Sequence, residues 1–229
     1  MKLSNKILIG FFGFILVYMI VAFTEVRLNG TPTNSIYNSG EIDTINLPEV
    51  NYINFHNVNT NFTISSSSEV PPRIEVWSQK GGAASRVKYN IKNDTLNILS
   101  VAEGEDDLYQ LKISLKPNQL KGLDMADSRV SLVDLEQDSL DISQKNGYFY
   151  ISNSPAIKHI KIDATPSSSA DLNNLDLETA IIISDDASIR VNSEVKHIQG
   201  SLKNGSYLYV QSVEDIQFKK DNSSRLNIN

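Results

Sequence analysis

Val195-Lys196-His197-Ile198-Gln199-Gly200-Ser201-Leu202-Lys203-Asn204-Gly205-Ser206-Tyr207-Leu208-Tyr209-Val210 decides the fold. It holds a frame of apolar, charged, variable, apolar residues, then a small polar turn, then a strongly alternating strand. The same frame starts at Leu120, Gln137, Ile157, Leu177, Val195 and Val213, with spacings of 17, 20, 20, 18 and 18 residues and Gln137 as the one polar exception in the first place. That period is too short for helical-hairpin repeats or propeller blades and too irregular for a strict hexapeptide helix. It suits one turn of a parallel β-solenoid.

Two apolar pairs recur in each turn. The first runs Leu123/Met125, Leu140/Ile142, Ile160/Ile162, Ala180/Ile182, Ile198 with Gly200, and Ile216/Phe218. The second runs Val130/Leu132, Phe149/Ile151, Ala170/Leu172, Ile189/Val191, Leu208/Val210 and Leu226/Ile228. Alternate residues of a strand face opposite sides, so each pair points inward and stacked turns bury one continuous core. Between the pairs stand Asp127-Ser128, Asn146-Gly147, Ser167 to Ser169, Asp185-Asp186, Asn204-Gly205 and Asn222 to Ser224. These residue types tolerate the left-handed or side-chain-bonded backbone that corners require.

Upstream the pattern changes twice. Residues 46–118 alternate apolar and polar in short runs, such as Val50 to Phe55, Asn61 to Ile64 and Leu108 to Leu115, separated by turn signals at Pro71-Pro72, Gly81-Gly82 and Asn93-Asp94. They are expected to form an open β-layer leading into a solenoid over 119–229. Residues 25–45, rich in Asn, Thr, Ser and Gly, read as a polar tether. Within residues 1–24, an uninterrupted apolar run of 17 residues from Ile7 to Phe23 follows Lys2 and Lys6. That is near the lower limit for crossing a ~30 Å hydrocarbon core. No small-x-small cleavage site follows, so an uncleaved signal anchor is expected, a single transmembrane helix with everything beyond Phe23 on the extracytoplasmic side. The expected fold is therefore all-β: a single-stranded parallel β-helix of about six turns, taken as right-handed, with an N-terminal β-layer and one preceding membrane helix.

Composition narrows the function. The 229 residues are 40% hydrophobic, enough for a sizeable core. A net charge of −6 and a pI near 5.1, without a Lys/Arg cluster, argue against a nucleic-acid partner. The chain has no cysteine, which removes disulfides, thiolate metal sites, cysteine nucleophiles and a lipidated cysteine. No cofactor is expected.

The strand-rich lead-in, with Tyr52-Ile53-Asn54-Phe55 and Phe62-Thr63-Ile64, and the repeats with Asn-Gly or Ser-rich corners resemble the auto-transporter adhesin head GIN domain family of bacterial envelopes. The resemblance covers roughly residues 50–228. It implies a β-solenoid on the outer side of the membrane with an adhesion role and no catalytic residues. The Gly-Ser-Gly corners frequent in that family are mostly replaced here by Asn, Asp and Ser.

Two function classes follow: a non-enzymatic envelope protein binding a glycan, a protein or a neighbouring subunit, or a β-helix polysaccharide hydrolase or lyase. For the second, Asp124 and Asp141 are expected at the same outward place on successive turns, ~5 Å apart, a spacing that suits a retaining glycosidase. The plainer reading is a solvated acidic column with Lys161 beside it. Glu103, Glu105, Asp106 and Asp107 lack fixed cation-ligand spacing. His159 and His197 share a place in their turns, with Thr179 between them, too far apart to hold one metal ion. No metal site is expected. The sequons at Asn61, Asn93, Asn204 and Asn222 are incidental in a bacterial envelope protein.

For binding, the outward positions of the second strand carry the signal. Tyr148 and Tyr150, then Ser169 and Asp171, Ser188 and Arg190, and Tyr207 and Tyr209 place two tyrosine pairs around two turns of small and charged residues. Tyr148 and Tyr207 are expected ~14 Å apart, walling a strip that suits a glycan or an extended peptide. Strand tyrosines chosen for β propensity are the plainer reading. A charge ladder of Lys121, Asp138, Lys158, Glu178, Lys196 and Glu214 is expected to alternate in sign up the stack. The edge after Leu226 and Ile228 is expected either to pair with another chain or to be kept apart by Lys219, Lys220, Asp221 and Arg225.

Overall fold

The computed structural model describes residues 11–21, 23–24, 41–58, 60–78, 81–102 and 108–229. The chain divides into two compact units, Met1–Gly40 and Glu41–Asn229. In the first, residues 11–21 and 23–24 are helical, and the Thr24 hydroxyl donates to the Ile20 carbonyl at 2.7 Å. Among the described residues no helix is long and apolar enough to cross a membrane. Residues 7–10 and 22 of the expected anchor, the tether over 25–40 and the acidic run 103–107 lie outside the described residues.

The second unit is all-β. Its strands are β1 (Glu41–Asn46), β2 (Tyr52–His56), β3 (Phe62–Ser66), β4 (Arg73–Ser78), β5 (Val87–Lys92), β6 (Thr95–Val101), β7 (Leu108–Leu115), β8 (Gly122–Ala126), β9 (Arg129–Val133), β10 (Ser139–Lys145), β11 (Tyr148–Ser152), β12 (His159–Ala164), β13 (Ser168–Asp185), β14 (Ala187–Lys203), β15 (Tyr207–Lys220) and β16 (Arg225–Ile228). All but β1, β4 and β5 form two parallel ladders. The first-arm ladder runs β6-β2-β8-β10-β12 and continues through the C-terminal halves of β13, β14 and β15. The second-arm ladder runs β7-β3-β9-β11, then the N-terminal halves of β13, β14 and β15, and ends on β16. Strands β13 and β14 pass from one arm to the next through irregularities at Asn173/Asp176 and Val191/Glu194. One solenoid turn is thus two strands joined at two corners, and the six expected repeats each supply one.

The alternation read from the sequence is what fills the core. Leu123, Leu140, Ile160, Ala180 and Ile198 on the first arm, and Val130, Phe149, Ala170, Ile189 and Leu208 on the second, are all at most 2% exposed. Corner chemistry follows the expectation too. Asp127, Asn146, Ser167, Asp186 and Asn204 all adopt positive φ, between 46° and 61°. These corners then bond to one another: the Asn146 carboxamide donates to Asp127, and that of Asn204 to Asp185 at 2.6 Å. Buried corner serines join neighbouring turns. Ser154 Oγ accepts the Leu135 N–H at 2.9 Å and donates to the Ser152 carbonyl at 2.9 Å, and Ser193 Oγ accepts the Leu175 N–H at 3.1 Å.

Three features differ from the expectation. First, the strands over 46–118 do not form an open layer in front of the solenoid: β6 with β7 and β2 with β3 are further rungs of the same stack. The rung made of β2 and β3 lies between the rung of β6 and β7 and that of β8 and β9, although it precedes both in sequence. Second, antiparallel strands close the N-terminal end. On the second arm β4 pairs with β7 and β1 with β4, and on the first arm β5 pairs with β6. Strand β1 begins at Glu41, inside the stretch read as tether. Asp43 on β1 accepts the N–H groups of Ala83 and Ala84, at 2.5 and 3.3 Å, capping the 3₁₀ turn Ala83–Arg86 that links β4 to β5. Third, β8 and β10 pair two residues away from the expected register. Leu123 faces Ile142 and Met125 faces Gln144, so Lys121 leaves the charge ladder. Gln144, only 1% exposed, occupies the place of an apolar partner.

Candidate functional site

The second-arm register brings the expected strip together. Tyr148 pairs with Ser169, Ser169 with Ser188, and Ser188 with Tyr207. One step along the strands, Tyr150, Asp171, Arg190 and Tyr209 form a parallel column. At a rung spacing of ~4.8 Å, Tyr148 and Tyr207 stand about 14 Å apart. The floor between them is polar and internally bonded. The Tyr148 hydroxyl donates to Asp171 Oδ2 at 3.0 Å, and the Arg190 guanidinium stands 3.6 Å from Asp171 Oδ1. Burial, reinforced by the hydrogen bond to the Asp171 carboxylate, pushes the Tyr148 phenol above its usual range. The same hydrogen bond holds the Tyr148 side chain in one orientation.

Beside the strip lies a groove of about 670 Å³ along the first corner, built by Val58, Asn61, Asp127, Ser128, Arg129, Asn146, Gly147, Tyr148, Ser167 and Ser169. Gly147 creates room there: a Cβ at that position would lie 2.7 Å from the Ser128 carbonyl oxygen. Beneath it, the Gln144 carboxamide donates to the carbonyls of Gly147 and, at 2.9 Å, of Ser169, and so fixes the groove floor. Asn61, read from the sequence as the start of a strand and a sequon rather than as a binding residue, lies one residue ahead of the β3/β9 pair Phe62–Val130, alongside Arg129. The available signal was positional: Asn61 precedes Phe62 as Arg129 precedes Val130.

The acidic pair weighed as a glycosidase centre is not assembled as expected. Asp124 faces Ser143 and Asp141 faces Gly122, because β8 and β10 pair two residues off the expected register. Both residues line a second cleft of about 290 Å³ on the first arm with Tyr52, Lys161 and Asp163. His159 and His197 sit either side of Thr179, as the repeat implied. His159 Nδ1 is 2.8 Å from the Thr179 hydroxyl, and His56 lies 3.4 Å from Asp124. Among the described residues no three His, Cys, Asp or Glu side chains group as metal ligands.

No family model and no curated protein matches the chain. Solved structures do. One from Parabacteroides distasonis, provisionally named a lipid binding protein, superposes with a TM-score of 0.55 at 11% identity, over 83% of this chain and 97% of its own. A provisionally named adhesin from the same organism gives 0.53 at 15% identity, over 82% and 93%. A third, from Bacteroides fragilis and also provisionally named an adhesin, gives 0.50 at 11% identity, over 83% and 97%. At such identities the likeness is one of fold: the chain shares the β-solenoid architecture of these bacterial adhesin-like proteins.

Proposed function

We propose that this protein is a single-pass membrane protein whose β-solenoid stands on the extracytoplasmic side and binds an envelope glycan or protein, without catalysis, through the second-arm face. One observation carries the reading: Tyr148, Ser169, Ser188 and Tyr207 align on consecutive rungs around the bonded Asp171–Arg190 pair. Rigid aromatic groups around a satisfied polar floor bind at low ordering cost. The adhesin and lipid-binding names of its fold neighbours support a binding role, and the corner-rich repeats support kinship with the GIN domain family. Anchoring is supported by the apolar run from Ile7 to Phe23 behind Lys2 and Lys6, and by Phe11, Phe12, Phe14 and Leu16, each at least 60% exposed on the helix.

The test compares the full chain with a Tyr148→Ala/Tyr207→Ala variant for retention of native envelope material. The variant is expected to lose retention while its thermal midpoint stays nearly unchanged, because both rings lie on the outer face. Retention equal to that of the parent assigns binding elsewhere.

A further inference from the structure

The groove and the strip share Tyr148 and Ser169 and form one path along the stack. We infer that this path holds a linear, uncharged glycan in an extended β-1,4-type ribbon, running parallel to the solenoid axis with about one ring per rung. The inference rests on the proposed binding face and names its ligand.

Periodicity is the first argument. From Asn61 through Arg129, Tyr148, Ser169 and Ser188 to Tyr207 the column makes five steps, about 24 Å at ~4.8 Å each. A pyranose ring in a diequatorially linked chain advances by about one such step, so the rings keep pace with the rungs, alternate rings presenting the same edge. An extended peptide advances only ~3.3 Å per residue and drifts out of phase within a few rungs. Chemistry is the second. The column offers a carboxamide, a guanidinium, phenols and hydroxyls, which are hydrogen-bonding partners for ring hydroxyls, together with aromatic faces for their C–H surfaces. Val58, the apolar lining residue, is only 2% exposed, so the path presents little surface to an acyl chain. Charge is the third. Asp127 and Arg129 both line the groove wall, and Asp171 already holds Arg190. The path's two guanidinium groups are thus matched in number by two carboxylates, so an acidic polymer would gain no net attraction, whereas a neutral chain needs none. Finally, Tyr148 is fixed by its bond to Asp171, so little rotamer freedom is lost on stacking a sugar.

The experiment measures binding of the full chain in detergent to β-1,4-linked glucose and N-acetylglucosamine oligomers of one to six rings. The coiled α-1,4-linked glucose hexamer, polygalacturonate and an extended polar peptide serve as comparisons. Affinity should rise about threefold with each added β-1,4-linked ring and flatten near the path's length. The variant Asn61→Ala/Arg129→Ala, which leaves the strip intact, should bind the hexamer about tenfold more weakly and the shortest bound oligomer as the parent does. Absence of a length dependence, an equal gain for the α-linked hexamer, preference for polygalacturonate or the peptide, or undiminished hexamer binding by the variant would each overturn the inference. If envelope material is still retained through Tyr148 and Tyr207 while no oligomer shows a length dependence, this inference falls and the proposed function stands. If the parent retains no envelope material, or the Tyr148→Ala/Tyr207→Ala variant retains as much as the parent, both readings fall.

Discussion

At position 200 the backbone has φ +151°, and a Cβ there would lie 1.7 Å from the Ile182 carbonyl oxygen on the neighbouring rung. Only glycine fits, since the conformation is strained for other residues and the space is filled by backbone that cannot swing away. Gly200→Ala is therefore expected to cost about 3 kcal/mol or more, read as a lowered urea midpoint, while the Gly205→Ala control, with open space around its site, loses less. The sequence showed Gly200 breaking the apolar pair but not why. Gln144 was less legible still. A polar side chain in an inward position looks like a surface residue in the pattern, yet here its Nε2 bridges two corner carbonyls. The acceptors it satisfies come from residues 3 and 25 positions away, so no local pattern announces them.

Among the strands, the second arm was readable because each turn contributes one clear apolar pair flanked by corner residues. The first arm slipped between β8 and β10 by two residues. A slip of one would have turned every side chain to the wrong face and been obvious; a slip of two keeps inward and outward assignments intact and is invisible to alternation. Above that slip the charge ladder keeps one of its expected contacts. Lys196 stands 3.4 Å from Glu178 as expected, but Lys158 reaches Asp176, at 2.5 Å, rather than Glu178. Its hydrogen bond and charge hold the Asp176 carboxyl below the usual range. A depressed folded pKa contributes stability that is present above the unfolded value, about 3.9, and lost as pH falls through the folded one. A double-mutant cycle of Lys158→Ala and Asp176→Ala should show favourable coupling at pH 7 that fades on acidification. A flat coupling from pH 7 downwards would remove the pair from the stabilising contacts.

The two ends of the described solenoid stack are unlike. Antiparallel strands β1, β4 and β5 finish the N-terminal rung, whereas on the last C-terminal rung Val213, Ile216, Phe218 and Leu226 are only partly buried and Ile228 is 44% exposed. Asp221 secures that rung locally. It accepts the N–H groups of Asn204, Ser223 and Ser224, and these bonds, with the Ser223 hydroxyl, hold its carboxyl far below the usual range. Charged side chains along such an edge hinder pairing with another chain. Converting Lys220 and Arg225 to Val should turn the edge into a self-pairing one, seen as a concentration-dependent rise in scattering mass that the parent lacks; a variant that stays at the parent's mass would show that the charges are not what guards the edge. The solenoid itself was legible because its period is written six times. The order of the first rungs was not, because it rests on pairings between segments about 40 to 70 residues apart, and neither those pairings nor the antiparallel cap is marked by a repeat.

That order of rungs has a consequence for how the chain is made. The segment carrying Ile53 and Phe62 leaves the ribosome before either of its neighbours in the stack exists. Ile53 must wait for Leu96 on one side and Leu123 on the other, and Phe62 for Leu111 and Val130. Until residue 133 has emerged, the earliest rung cannot be flanked along both arms, whereas each later repeat can dock on the one before it as soon as it appears. Synthesis thus runs from one end, but closure works inward from both sides onto the earliest rung, and any helper that shields hydrophobic strands during synthesis has its longest task there.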